Sequence, residues 1–69
     1  MDNSIKKLEA KDLEEKKEFR FSMFHQLEDI SALVKIKMIE KLEFDFCDSL
    51  KDISPLSELI NLKTLGFTA

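Results

Sequence analysis

Few side chains in this sequence have types that do chemistry. Cys47 is the only cysteine and His25 the only histidine, and a thiol beside an imidazole is what a cysteine nucleophile needs. No third orienting group or oxyanion donor is indicated around them, so a working dyad is not expected. Glu40, Glu43, Asp45, Asp48 and Asp52 crowd carboxylates into one stretch. Carboxylates that cleave a glycosidic bond must flank a sugar cleft, and 69 residues make a sheet too small to hold one. One cysteine supplies neither a zinc quartet nor an intrachain disulfide, and a single glycine excludes glycine-rich phosphate loops. The expectation is no catalytic residue, no cofactor and no metal ligand. The chain is not expected to be an enzyme.

Composition narrows the partners. The net charge is −3, from 11 basic and 14 acidic residues, and the two signs are interleaved. A protein that grips phosphates normally carries a basic face, so nucleic acid is not the expected partner. An acidic mimic of nucleic acid would need a dense negative field, which Lys35, Lys37, Lys41 and Lys51 dilute. No stretch approaches the roughly 20 apolar residues that span a bilayer. With a lone cysteine and no apolar leader after Met1, a cytoplasmic setting is expected. The richness in Lys, Ile, Glu and Phe fits a low-GC bacterial or phage gene. A domain this small buries little surface and has no covalent staple, so a partner would help it stay folded.

A repeat organises most of the chain. Set against itself with a shift of 23 residues, the sequence gives eight identities: Phe21/Phe44, Leu27/Leu50, Asp29/Asp52, Ile30/Ile53, Ser31/Ser54, Leu33/Leu56, Leu42/Leu65 and Phe44/Phe67. Unrelated sequence of this composition would give about two. Apolar character also persists at Phe19/Leu42, Phe24/Cys47, Ile36/Leu59 and Ile39/Leu62. One unit reads Ile39-x-x-Leu42-x-Phe44-x-x-Cys47-x-x-Leu50-x-x-Ile53-x-x-Leu56-x-x-Leu59-x-x-Leu62. This pattern resembles the leucine-rich repeat. The run Asp52-Ile53-Ser54-Pro55-Leu56, with Leu59 and Asn61-Leu62 after it, is similar to the short bacterial internalin-type repeat. Asp29-Ile30-Ser31-Ala32-Leu33 is a degenerate second copy. Two departures lie in the first unit: Phe24 stands where the family takes Cys or a small polar residue, and Val34–Met38 lacks the usual Asn.

The elements follow. The resemblance implies an α/β fold, a short leucine-rich-repeat solenoid of about three parallel strands joined by short helical turns. Residues 19–69 form the repeats, and residues 1–18 form an N-terminal capping helix. Alternation in Leu42-Glu43-Phe44 and Leu65-Gly66-Phe67 predicts strands near residues 19–22, 41–45 and 64–68. Ser54 before Pro55 reads as an N-cap with proline at the first helical position, and too few residues follow for more than a short 3₁₀ or α segment. Residues 2–18 hold strong helix formers without Gly or Pro. Asp2, Asn3 or Ser4 would cap a helix running through Ile5, Leu8 and Leu13, with its Ile5/Leu8 stripe laid over the first repeat. Its apolar stripe is too narrow for a membrane-surface helix. Cys47 is expected as a small buried residue of the turn, and His25 as a surface residue.

Outward strand positions line the concave face that such repeats commonly use for binding: Glu18, Arg20 and Ser22; Lys41, Glu43 and Asp45; Thr64, Gly66 and Thr68. The partner-binding set expected here is Arg20, Lys41, Glu43, Asp45, Thr64 and Thr68, with Phe46 and Phe67 as apolar anchors. Met23 shares the repeat position of Phe46, and aromatic residues are enriched among binding hot spots. The last unit reaches Thr68-Ala69 directly after its strand, so an open edge is expected there. A longer array, a second copy or a docking target would complete it by strand addition. The leading functional expectation is a non-enzymatic protein-binding module, in its sharpest form a bacterial or phage inhibitor masking a host protein. The alternatives are a truncated or self-assembling repeat fragment, and an acidic inhibitor of a nuclease or CRISPR effector. Light scattering separates out the second, and steep salt dependence of binding would mark the third.

Overall fold

A computed structural model describes residues 3–68. Three parallel strands, β1 (Glu18–Ser22), β2 (Lys41–Asp45) and β3 (Thr64–Thr68), form one open sheet in the order β1-β2-β3. Short 3₁₀ turns lie before and between them: η1 (Ala10–Asp12), η2 (Ser31–Lys35) and η3 (Ser54–Glu58). The strands fall where alternation predicts them. Their register converts the sequence period into a single step across the sheet: Phe19 sits beside Leu42, Leu42 beside Leu65, Phe21 beside Phe44 and Phe44 beside Phe67.

The inward side chains make the core. Phe21, Phe44, Leu42, Leu27, Ile30, Leu33, Ile39 and Leu8 are fully buried. The Phe21 and Phe44 rings stack with centroids 5.4 Å apart, Phe44 and Phe67 at 5.5 Å. That spacing is close to the 4.7–4.9 Å between neighbouring strands, so one phenylalanine per rung builds a continuous ladder. Phe24 closes its lower end edge-on against Phe21 at 5.4 Å.

Spacing of three explains the turns. Ile30, Leu33, Ile36 and Ile39 are each three residues apart and all buried. A 3₁₀ helix has three residues per turn, so only that winding puts all four on one line. The backbone follows suit, with Leu33 N–H donating to Ile30 O at 3.0 Å, Ile36 to Leu33 at 3.0 Å and Ile39 to Ile36 at 3.2 Å. The next unit repeats it through Leu56 to Ile53, Leu59 to Leu56 and Leu62 to Leu59. An α-helix would rotate every fourth apolar residue off the core.

Ser54 is not the N-cap expected of it. It is the first residue of η3, Ile53 precedes it, and the acid two positions back does the capping. Asp52 Oδ1 accepts the Ser54 N–H at 3.0 Å and the Ser54 hydroxyl at 2.7 Å, and Asp29 Oδ1 takes the Ser31 N–H at 2.9 Å. A carboxylate bridging to the backbone two residues on forms an Asx turn. Hydrogen bonds from Ser31, chiefly its N–H, hold the Asp29 carboxyl below its ordinary range; the hydroxyl and N–H of Ser54 do the same to Asp52.

The helix expected over residues 1–18 is absent from the described part, and Asp2 lies outside the described residues. Residues 3–17 run as an irregular coil with η1 as their only helical turn. The physical reason lies in what the first unit needs. Glu28 and Asp29 N–H groups donate to Lys6 O at 2.8 and 3.0 Å, and Leu8 N–H donates to Asp29 O at 3.0 Å. Lys7 and Asp29 form an isolated parallel bridge. A helix would satisfy its own amides and leave those of Glu28 and Asp29 unpaired, which is costly beside a core. Helix propensity is worth a few tenths of a kcal/mol per residue, too little to outweigh that and the burial of Leu8.

Two measurements check this packing. Leu8→Ala should lower the unfolding free energy by about 2–5 kcal/mol in urea titration, whereas Leu65→Ala, on a half-exposed side chain, should cost less than half as much. Asp29 and Asp52 have native carboxyls depressed below the unfolded value, so the stability they contribute is complete above about pH 4 and is lost as pH falls further. The double variant Asp29→Asn/Asp52→Asn should therefore show a shallower loss of stability below pH 4 than the parent chain.

Candidate functional site

Outward residues from all three strands share one polar face. β1 contributes Glu18, Arg20 and Ser22, β2 contributes Lys41, Glu43 and Asp45, and β3 contributes Thr64, Gly66 and Thr68. Residues far apart in the chain thus lie on adjacent rungs, held by the register beneath them.

Asp45 organises the first two strands. Arg20 donates to one carboxylate oxygen through both Nε at 2.6 Å and Nη2 at 2.5 Å, and Ser22 Oγ approaches the same oxygen at 3.4 Å. Asp45 is 7% exposed, so its carboxylate is covered by Arg20 and not offered to a ligand as expected. Its role is to hold Arg20, whose guanidinium it raises above an already high pKa by hydrogen bonding and by charge. Glu43 lies 3.8 Å from Arg20 Nε and 3.2 Å from Lys41 Nζ. Lys17 and Lys63 flank Glu40 at 3.8 and 3.7 Å. Each of these acids on the face and its rim is answered by a base.

The third strand is neutral. Gly66 has no positive φ, and a Cβ built there would meet Glu43 Cγ at 3.7 Å, an ordinary contact. Neither backbone nor space demands glycine here; its consequence is a bare backbone between Thr64 and Thr68. On the inner side of the same strand Leu65 and Phe67 are 40% and 53% exposed. Of the expected partner-binding residues, Arg20, Lys41, Glu43, Thr64 and Thr68 are on the polar face. Phe67 is at the open edge beneath it.

Phe46 follows β2 directly, and Met23 follows β1. Both have left-handed backbones, φ 55° and 62°, and both are large apolar residues left about half exposed, at 44% and 55%. Their N–H groups donate across to the next strand, Met23 to Asp45 O at 2.8 Å and Phe46 to Thr68 O at 2.7 Å. Side chains with a Cβ disfavour this conformation, which Gly and Asn accept readily. Periodicity marks the two positions as equivalent, but a bulky residue carries no composition signal for a left-handed turn. That feature was invisible in the sequence.

Cys47 and His25 are engaged separately. Cys47 Sγ donates to Phe21 O at 3.4 Å, with Asp45 O at 3.6 Å. Its thiol is half-buried, less enclosed than expected, and desolvation pushes its pKa up, away from the thiolate a nucleophile needs. His25 Nδ1 pairs with Asp48 Oδ2 at 2.8 Å on the exposed side of the turn, and Ser49 Oγ donates to the His25 carbonyl at 2.7 Å. These contacts tie one turn to the next. Among the described residues no group of three or more His, Cys, Asp and Glu is placed to hold a metal ion, and no helix is long and apolar enough to cross a membrane.

Alkylation by iodoacetamide tests the state of the thiol. Cys47 should react more slowly in the native chain than in urea, with its rate rising at higher pH than that of a free cysteine. Equal rates in both states would contradict the burial.

No protein-family model matches this chain, and neither a curated protein nor a solved structure matches it.

Proposed function

We propose that the chain is a non-enzymatic protein-binding module of the leucine-rich-repeat kind, a short solenoid whose polar sheet face and apolar rim grip a protein surface. The observation that carries this reading is the pair Met23 and Phe46. Each combines a left-handed φ with a half-exposed apolar side chain. Asn at either position would relieve the backbone and cost little burial. Left-handed backbone at a bulky residue costs of order 1–3 kcal/mol, and solvent-exposed apolar surface returns little of it. A partner that buries both side chains supplies the missing compensation.

The polar face suits the same role. Arg20 is pre-oriented by Asp45, so it presents donors without first losing rotamer freedom, which favours association. Lys41 and Thr64 stand on neighbouring rungs of that face. The pairing of Glu43 with Lys41 and Arg20, and of Glu40 with Lys17 and Lys63, weakens the field a nucleic-acid mimic would require. The solenoid reading is supported by the one-rung step that joins Leu42 to Leu65 and Phe44 to Phe67.

Affinity capture with the 69-residue chain as bait, run beside the variant Met23→Asn/Phe46→Asn, tests the proposal. The variant should match or slightly exceed the parent in thermal stability and should lose the captured protein. A variant destabilised by more than about 1 kcal/mol would mark the two residues as packing instead. Unchanged capture by a stable variant would remove them from the interface.

A further inference from the structure

Among the described residues the outer edge of β3 pairs with nothing, and its sequence is unlike that of the other strands. Natural sheet edges are usually blunted by charge, proline or a bulge. β3 reads Thr64-Leu65-Gly66-Phe67-Thr68, with none of these. We infer that β3 is the pairing strand of a homodimer, in which a second copy of this chain adds antiparallel across a two-fold axis at Gly66.

The backbone selects the register. Thr64 N–H donates to Glu40 O and Thr68 O accepts from Phe46 N–H, so the N–H of Thr64 and the carbonyl of Thr68 point towards β2. Peptide groups alternate in direction along a strand, which turns those of Leu65 and Phe67 to the free edge. In an antiparallel pair, residues opposite each other either exchange both backbone hydrogen bonds or exchange none. With the axis at Gly66, Leu65 stands opposite Phe67 of the second copy, and that pair exchanges both bonds. Its symmetry mate does the same, so the free groups of both residues are all satisfied at once. Moving the axis to Leu65 or Phe67 leaves part of the strand unpaired.

Side chains agree with that register. On the core side the half-exposed Leu65 and Phe67 cover one another across the axis, extending the apolar layer from one copy into the next. On the polar face Thr64 meets Thr68, a favourable cross-strand pair, and Gly66 meets Gly66. No like charges face each other. The same operation on β1 would set Arg20 against its own copy, and like charges directly opposite are destabilising. An interface with the same patch on both partners closes at two and does not propagate into a fibre. This inference stands apart from the protein-binding proposal, because it uses the edge and leaves Met23 and Phe46 untouched.

Sedimentation velocity over a concentration series, with three chains, is the test. The parent chain should shift from monomer to dimer with rising concentration. Gly66→Lys adds a Cβ that meets Glu43 Cγ of its own copy in ordinary contact at 3.7 Å, and sets its ammonium against the identical ammonium across the axis. It should weaken dimerisation at least about tenfold, or 1.4 kcal/mol, with an unchanged circular dichroism spectrum. Gly66→Cys in a Cys47→Ala background should give a disulfide-linked dimer on mild oxidation, since a non-bonded antiparallel pair sets Cα atoms about 4.5 Å apart, within disulfide reach. A parent that stays monomeric to about 1 mM would overturn the inference. So would a dimer indifferent to Gly66→Lys, a dimer that does not cross-link at Gly66, or occupation of the edge by a different protein in preference to a second copy.

Discussion

A strand and a turn with apolar residues along one side cannot bury those residues alone. Each unit here is one strand thick, so its leucines and phenylalanines find cover only on the unit beside it. Leu42 is fully enclosed because it has a neighbouring rung on each side, at Phe19 and at Leu65. Leu65, with the same side chain in the equivalent place, has one described neighbour and stays 40% exposed. The contrast between two identical residues isolates stacking as the source of burial. It also explains why the edge at β3 leaves apolar surface exposed.

Polar groups obey the same step. Lys6 O, Lys17 O and Glu40 O each accept two successive N–H groups from the unit that follows: Glu28 and Asp29, Glu40 and Lys41, Lys63 and Thr64. These shared carbonyls let the chain bend towards the next strand without stranding an amide. Asn61 adds a side-chain version of the link, its Nδ2 donating to Lys37 O at 2.8 Å. Met38 occupies the equivalent place one unit earlier and has no amide to offer, which is the departure visible in the sequence of the first unit.

Much of this architecture was legible in the residues. Alternation at Phe19/Phe21, Leu42/Phe44 and Leu65/Phe67 located the strands, and the shift that aligned them became the register. What misled was information of the wrong kind. Residues 5–17 have the composition of a helix, yet composition reports local preference, while Leu8 and the carbonyl of Lys6 answer to a distant unit. Ser54 carries a capping side chain, yet the stronger acceptor two residues earlier captured the turn first. Asp45 alternates outward like Lys41 and Glu43, but Arg20 folds over it, a contact that alternation does not encode. Backbone sign at Met23 and Phe46 left no trace in their identity, since both residue types normally avoid it.

The proposed binding role therefore rests on the least comfortable positions of the molecule, the left-handed apolar rim at Met23 and Phe46 and the uncharged edge of β3, with the well-paired polar face as their setting. All of it depends on equivalent residues occupying adjacent rungs. A ¹³C-edited NOESY spectrum of the chain is the most direct check. Cross-peaks from the Leu42 methyls to those of Leu65, and from the Phe44 ring to the rings of Phe21 and Phe67, are the result this account predicts. Their absence, with the sequential amide contacts of continuous helix over residues 5–17 or 54–62 in their place, would contradict it.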